Sequence, residues 1–106
     1  MNKKAFGMLG LAMRAGKVVS GEFSTEKAVK SKTAKLVIVA NDASENTKKL
    51  FRDKCSFYRV PIQICSTKEE LGNAIGKEFR ASLAVTDSNF ATQIMKHNDH
   101  DEFQEV

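Results

Sequence analysis

Tryptophan is absent from this chain, tyrosine and proline occur once each, and cysteine and histidine twice each. Two cysteines, Cys55 and Cys65, are too few for a disulfide scaffold, and such sparing use fits a reducing cytoplasm. One proline and six glycines exclude the composition of linkers and low-complexity tracts. The longest purely apolar run, Leu36-Val37-Ile38-Val39-Ala40, falls far short of the ~20 residues that cross a bilayer, so no membrane partner is expected. No secretory leader is expected either, because Gly7, Gly10 and Arg14 interrupt the segment after Lys3 and Lys4 and no small-residue cleavage site follows. With so little histidine, general acid–base chemistry would rest on carboxylates or lysines, and none stands in an unusual setting. No enzyme activity, small-molecule substrate or cofactor is expected.

What remains is a chain of 106 residues and 11.7 kDa, enough for one core. Hydrophobic residues make up 42% and charged residues 28%, the usage of an ordinary globular domain. The net charge is +4, unevenly spread. Residues 1–35 carry eight lysines and arginines against only Glu22 and Glu26. The middle of the chain is near balance. The last residues set Lys96 against Asp99, Asp101, Glu102 and Glu105. A basic body with an acidic end points to a polyanionic partner.

Helix and strand signals alternate throughout. Asn2 is placed to cap a helix carrying Phe6, Leu9 and Met13, with Gly16 at its end. Val18-Val19 reads as a short strand and Gly21 as a turn into a second helix over 22–32, with Phe23, Ala28 and Val29 on one side and lysines on the other. Lys35 to Ala40 reads as a central strand, apolar on both faces. Asn41 to Ser44 form a turn and cap for a helix over 45–58 whose buried stripe is Leu50, Phe51, Cys55 and Tyr58. Pro61 opens the strand Ile62 to Cys65. A capping box follows in either of two registers, Ser66 with Glu69 or Thr67 with Glu70. A short helix ends near Gly76, the loop Lys77 to Arg80 leads to the strand Ser82 to Val85, and Asp87 caps a last helix carrying Phe90, Ala91, Ile94 and Met95. This alternation implies a sheet between helical layers.

Few residues carry chemistry. Gly10 to Val18 has the outline of a P-loop but puts five residues between its glycines where four are needed, and Val18 where a Mg²⁺-holding hydroxyl belongs. Cys55 and Cys65 lack a neighbouring histidine or second cysteine and read as small buried hydrophobes. His97 and His100, among Asp99 and Asp101, read as a solvated tail rather than a metal clip. The informative stretch is Ser20 to Lys30. Its glycine turn opens a helix whose free amides favour phosphate, with Lys27 and Lys30 along it and Lys32 and Lys35 beyond.

Three ordered segments carry a resemblance over nearly the whole chain: Leu9 to Lys17, Ala34 to Asp42 and Glu70 to Glu78. By these the chain resembles the kink-turn RNA-binding ribosomal-protein superfamily (the L-seven-Ae and L-thirty-e group) and, within it, the small bacterial YlxQ-like members. The resemblance implies a three-layer α/β/α sandwich on a mixed four-stranded sheet. It also implies an RNA site built from the turn after the first strand, the start of the second helix and the loop before the last strand. Residue by residue these are Gly21, Glu22, Phe23, Ser24 and Lys27, with Lys30 further along; Asn41 and Asp42; and Lys77, Glu78, Phe79 and Arg80. Kink-turn binders of the superfamily read sheared G·A pairs with an Asn-Glu pair where this chain has Phe23 and Ser24. Phenylalanine has no donor or acceptor, so that readout is not expected here.

The expectation is therefore one non-enzymatic RNA-binding domain over 1–97 with an acidic, flexible tail over 98–106. It would act as a cytoplasmic, ribosome- or translation-associated monomer on structured RNA, kink-turn-like or ribosomal. The alternative is a protein-interaction module that keeps the fold without specific kink-turn recognition.

Overall fold

A computed structural model of the chain describes residues 1–98 and the backbone of 103–104. The elements follow the order α1 (Lys3–Arg14), β1 (Val18–Ser20), α2 (Glu22–Lys30), β2 (Leu36–Val39), α3 (Glu45–Tyr58), β3 (Ile62–Ile64), α4 (Lys68–Ala74), β4 (Ser82–Val85) and α5 (Ser88–His97). A two-residue β5 (Phe103–Gln104) pairs antiparallel with β3. Strand order is β1-β4-β2-β3-β5. β4 runs antiparallel to both β1 and β2, whereas β2 and β3 are parallel, so the four main strands form the expected mixed sheet.

The fully apolar strand is the central one. Leu36, Val37, Ile38 and Val39 are all fully buried, because α2 and α3 pack on one face of the sheet and α1 and α5 on the other. Caps fix where the helices begin. Asn2 accepts from the Ala5 amide at 2.8 Å and donates to the His97 carbonyl, tying α1 to the end of α5. Ser44 and Asp87 cap α3 and α5. Of the two capping-box registers, Thr67 with Glu70 is the one formed, since Ser66 takes a left-handed φ of 63° that leaves the helix to start one residue later.

Three expectations are corrected. Helix α2 stops at Lys30 rather than Lys32, and Lys32 itself turns left-handed at φ 64°. Phe23 does not join Ala28 and Val29 on the buried side; it is 79% exposed. At 100° per residue the buried stripe of α2 is Thr25, Ala28 and Val29, and Phe23 sits about 200° from Thr25, facing solvent. Asn98, placed in the tail by sequence, is buried. Residues 99–102 and 105–106, with His100 and most of the acidic tail, lie outside the described residues.

Candidate nucleic-acid interface

Register brings three loops to one end of the sheet. Ser20 at the end of β1 pairs with Leu83, and Ser82 at the start of β4 pairs with Val39 at the end of β2. The Gly21 turn, the 76–81 loop and the 41–42 turn therefore leave the sheet together. Backbone bonds hold them there: Gly21 N–H to the Ser82 carbonyl at 3.0 Å, Ala40 N–H to Ala81 at 2.8 Å, and Asn41 N–H to Ser66 at 2.8 Å.

The start of α2 is the open element of this end. Gly21 takes φ 93° and ψ 156°, a conformation that disfavours any residue with a Cβ. It also brings no side chain to cap the helix, whereas α1, α3, α4 and α5 each have a side-chain cap. The amides of Glu22, Phe23 and Ser24 thus have no intrahelical acceptor and face outward with the positive end of the helix dipole. Lys27 lies exposed one turn along. Beneath them Thr25 and Ser82, both fully buried, meet hydroxyl to hydroxyl at 3.5 Å and fasten α2 to β4.

Arg80 is held in place by its neighbours. Its Nε donates to Ser20 Oγ at 3.0 Å and its Nη1 to the Phe79 carbonyl at 2.9 Å, which locks the 77–80 loop to the β1–α2 turn. Asp42 is engaged too: its Oδ1 accepts from the Lys68 amide at 2.9 Å, stapling the β2–α3 turn to α4. Gly72 permits the loop to sit where it does, since a Cβ there would fall 1.5 Å from the Glu78 carbonyl oxygen. Ser20, Thr25 and Ser82 fall within the stretches marked from sequence without being singled out there, and Lys68 and Gly72 were missed. Thr25 was detectable, three and four residues before Ala28 and Val29 on one stripe; the others act through contacts between distant segments.

The residues expected from sequence divide into groups. Gly21, Glu22, Phe23, Ser24 and Lys27 cluster with Asn41, Asp42, Lys77, Glu78, Phe79 and Arg80 at this one end. Lys30 lies further from the loops, about 12 Å along α2, on the same helix face as Phe23 and Lys27, and is ion-paired with Glu26 at 3.1 Å. Phe79, 64% exposed, lines a hollow with Asp42, Thr67, Lys68 and Glu69, while Phe23 lines another with Glu26, Lys27, Lys30 and Ser31. The two rings line different hollows. Glu22, Glu69 and Glu78 stand among Lys27, Lys68, Lys77 and Arg80, so charge here is mixed.

These features define a small α/β/α sandwich whose loops meet around an open helix N-terminus at one end of the sheet. The chain belongs to the ribosomal protein L7Ae/L30e/S12e/Gadd45 family, whose pattern matches residues 3–96. It is 48% identical over 90 residues to the RNA-binding protein YlxQ of Bacillus subtilis, covering 85% of this chain and 90% of that one. The large ribosomal subunit protein eL30 of Neurospora crassa is 37% identical over 86 residues, covering 76% of this chain and 75% of that protein. A Bacillus halodurans protein of unknown function superposes with a TM-score of 0.89 at 37% identity, over 92% of this chain and 99% of that one. The Giardia lamblia 15.5kD RNA binding protein shares the fold with a TM-score of 0.78 at 18% identity, over 94% of this chain and 92% of its own.

Proposed function

We propose that this protein is a non-enzymatic binder of structured RNA, kink-turn-like or ribosomal, working as a cytoplasmic monomer in association with translation. The observation that carries the reading is the uncapped start of α2, set between the 41–42 turn and the Arg80-anchored loop. Relatives named RNA-binding protein YlxQ and large ribosomal subunit protein eL30 support RNA as the ligand. The open amides and Lys27 take backbone phosphate. Phe23 and Phe79, both exposed, supply faces on which unpaired bases stack, in place of the hydrogen-bond readout that an Asn-Glu pair would give. The rival reading as a protein-docking module is favoured by one continuous apolar patch, whereas the two rings line different hollows set among lysines and glutamates.

Titration against a panel of kink-turn and ribosomal RNAs at several salt concentrations tests the reading. Binding with a marked salt slope is expected. Lys27→Ala is expected to weaken it by about 1–3 kcal/mol with an unchanged melting temperature, since Lys27 makes no ion pair among the described residues. No binding at low salt, or wild-type affinity in both Lys27→Ala and Phe23→Ala, refutes it.

A further inference from the structure

The positive charge of the N-terminal third does not gather at the site just described. Strands β1 and β2 and helices α2 and α3 all turn around at the opposite end of the sheet, where Val18 and Leu36 both pair with Val85. Five cations from three separate turns converge there. Arg14 and Lys17 flank the α1–β1 turn, Lys32 and Lys35 the α2–β2 turn, and Arg59 the α3–β3 turn. All five are exposed. None forms an ion pair or side-chain hydrogen bond among the described residues, whereas Lys30, Lys48, Lys49 and Lys54 all pair with carboxylates. Among the described residues the acidic group at this end is Asp87, and it is bound to the Phe90 amide at 2.9 Å.

We propose that this end is a second nucleic-acid contact, taking the phosphate backbone of an A-form RNA duplex. It rests on the reading of the protein as an RNA binder but uses none of the residues of the first site. Backbone bonds fix its spacing: the Lys17 carbonyl accepts from Thr86 at 2.8 Å, and the Lys35 amide donates to Val85 at 2.7 Å. Lys17 and Lys35 are thereby set on either side of β4, about 10 Å apart. Arg59 and Lys32 occupy left-handed positions, φ 59° and 64°, where helices ordinarily end in glycine. Helix dipoles account for cations at Arg14, Lys32 and Arg59, which follow or end α1, α2 and α3. They do not account for Lys17 and Lys35, which directly precede strands. With structured RNA held at one end of the sheet, a duplex arm would be gripped at the other, and α3 between them spans about 21 Å.

The test uses the full chain and a fully paired RNA stem of about 20 base pairs with no bulge, kink or loop, titrated at several salt concentrations. Removing one lysine that neutralises a phosphate lowers affinity about eightfold at 0.1 M salt, from a slope of about 0.9 per neutralised phosphate. K17Q/K35Q, clear of the helices' hydrogen bonding through their side chains, is expected to weaken stem binding at least about tenfold and flatten the salt slope by about two. Lys49→Gln, which removes a lysine on the outer face of α3, is expected to bind the stem as wild type does. Wild-type protein that ignores the stem at low salt overturns the proposal, as does K17Q/K35Q with unchanged affinity and slope. Weakened stem binding in K17Q/K35Q supports it even if the structured-RNA panel fails, and that failure would then count against the first site alone.

Discussion

Replacing Gly72 with alanine tests how the 77–80 loop is held on α4. A Cβ at this position would lie 1.5 Å from the Glu78 carbonyl oxygen and 2.5 Å from its carbonyl carbon. Because these are backbone atoms rather than the tip of a flexible side chain, the loop must move bodily by about 1.5 Å to reach a tolerable contact. That motion strains Lys77 N–H to the Gly72 carbonyl at 2.8 Å and Arg80 N–H to the Lys68 carbonyl at 3.0 Å. Overpacking costs about 1–3 kcal/mol and each broken bond about 1 kcal/mol, against about 1 kcal/mol regained from helix propensity. The expected net loss is about 3 kcal/mol, or about 15 °C in melting temperature by calorimetry. Gly7→Ala supplies the control, because Gly7 lies inside α1 with nothing within 4 Å of its added Cβ. The same substitution there is expected to stabilise by about 0.8–1 kcal/mol. Gly72→Ala with a melting temperature at or above wild type refutes the close-packed loop.

Burial alone pushes the Cys55 thiol up to about 12 from 9.0. The folded state therefore favours the neutral thiol: stability from this source is complete below pH 9 and is lost as pH rises toward 12. Denaturant titrations between those limits should show stability falling with pH in the wild type and a shallower fall in Cys55→Ala; parallel curves would contradict the burial. Alkylation of Cys55 at pH 8 should wait on unfolding, and prompt labelling of the native protein would contradict it equally. Thr67→Ala removes the acceptor for the Glu70 amide, 3.1 Å away, and leaves only the half of the capping box in which the residue-67 amide donates to the Glu70 carboxylate. A loss of about 1 kcal/mol is expected in denaturant titration. Because Asp42 and Arg80 also anchor at the start of α4, RNA affinity should fall with it.

The expected excess of positive charge beside the start of α2 changes most once the turns are placed in space. Arg14, Lys17, Lys32 and Lys35 are close in sequence to Gly21 and Lys27, yet they stand at the other end of the sheet. A strand or helix carries the chain from one end to the other in a few residues, so proximity in sequence is separation in space. What is left beside α2 is a balanced set of lysines, arginine and glutamates around open backbone amides.

Local physics was legible in the residues themselves. Cap residues Asn2, Ser44 and Asp87, the apolar run Leu36–Val39 and the glycine after β1 each act within a few positions, so element order and the central strand followed from sequence alone. The open N-terminus of α2 was legible for the same reason: a glycine at its cap brings no side chain. Phe23 was not, because its place on the helix depends on where Thr25, Ala28 and Val29 meet β4. Which capping register forms, why Gly72 must lack a side chain and how Ser20 comes to hold Arg80 are likewise settled by contacts between segments 6 to 60 residues apart. Sequence determined the elements and their order, because helices and strands are set by near neighbours. Tertiary structure decided which charges share an end of the sheet and which aromatic rings stay in water, because strand direction and register alone bring distant turns together.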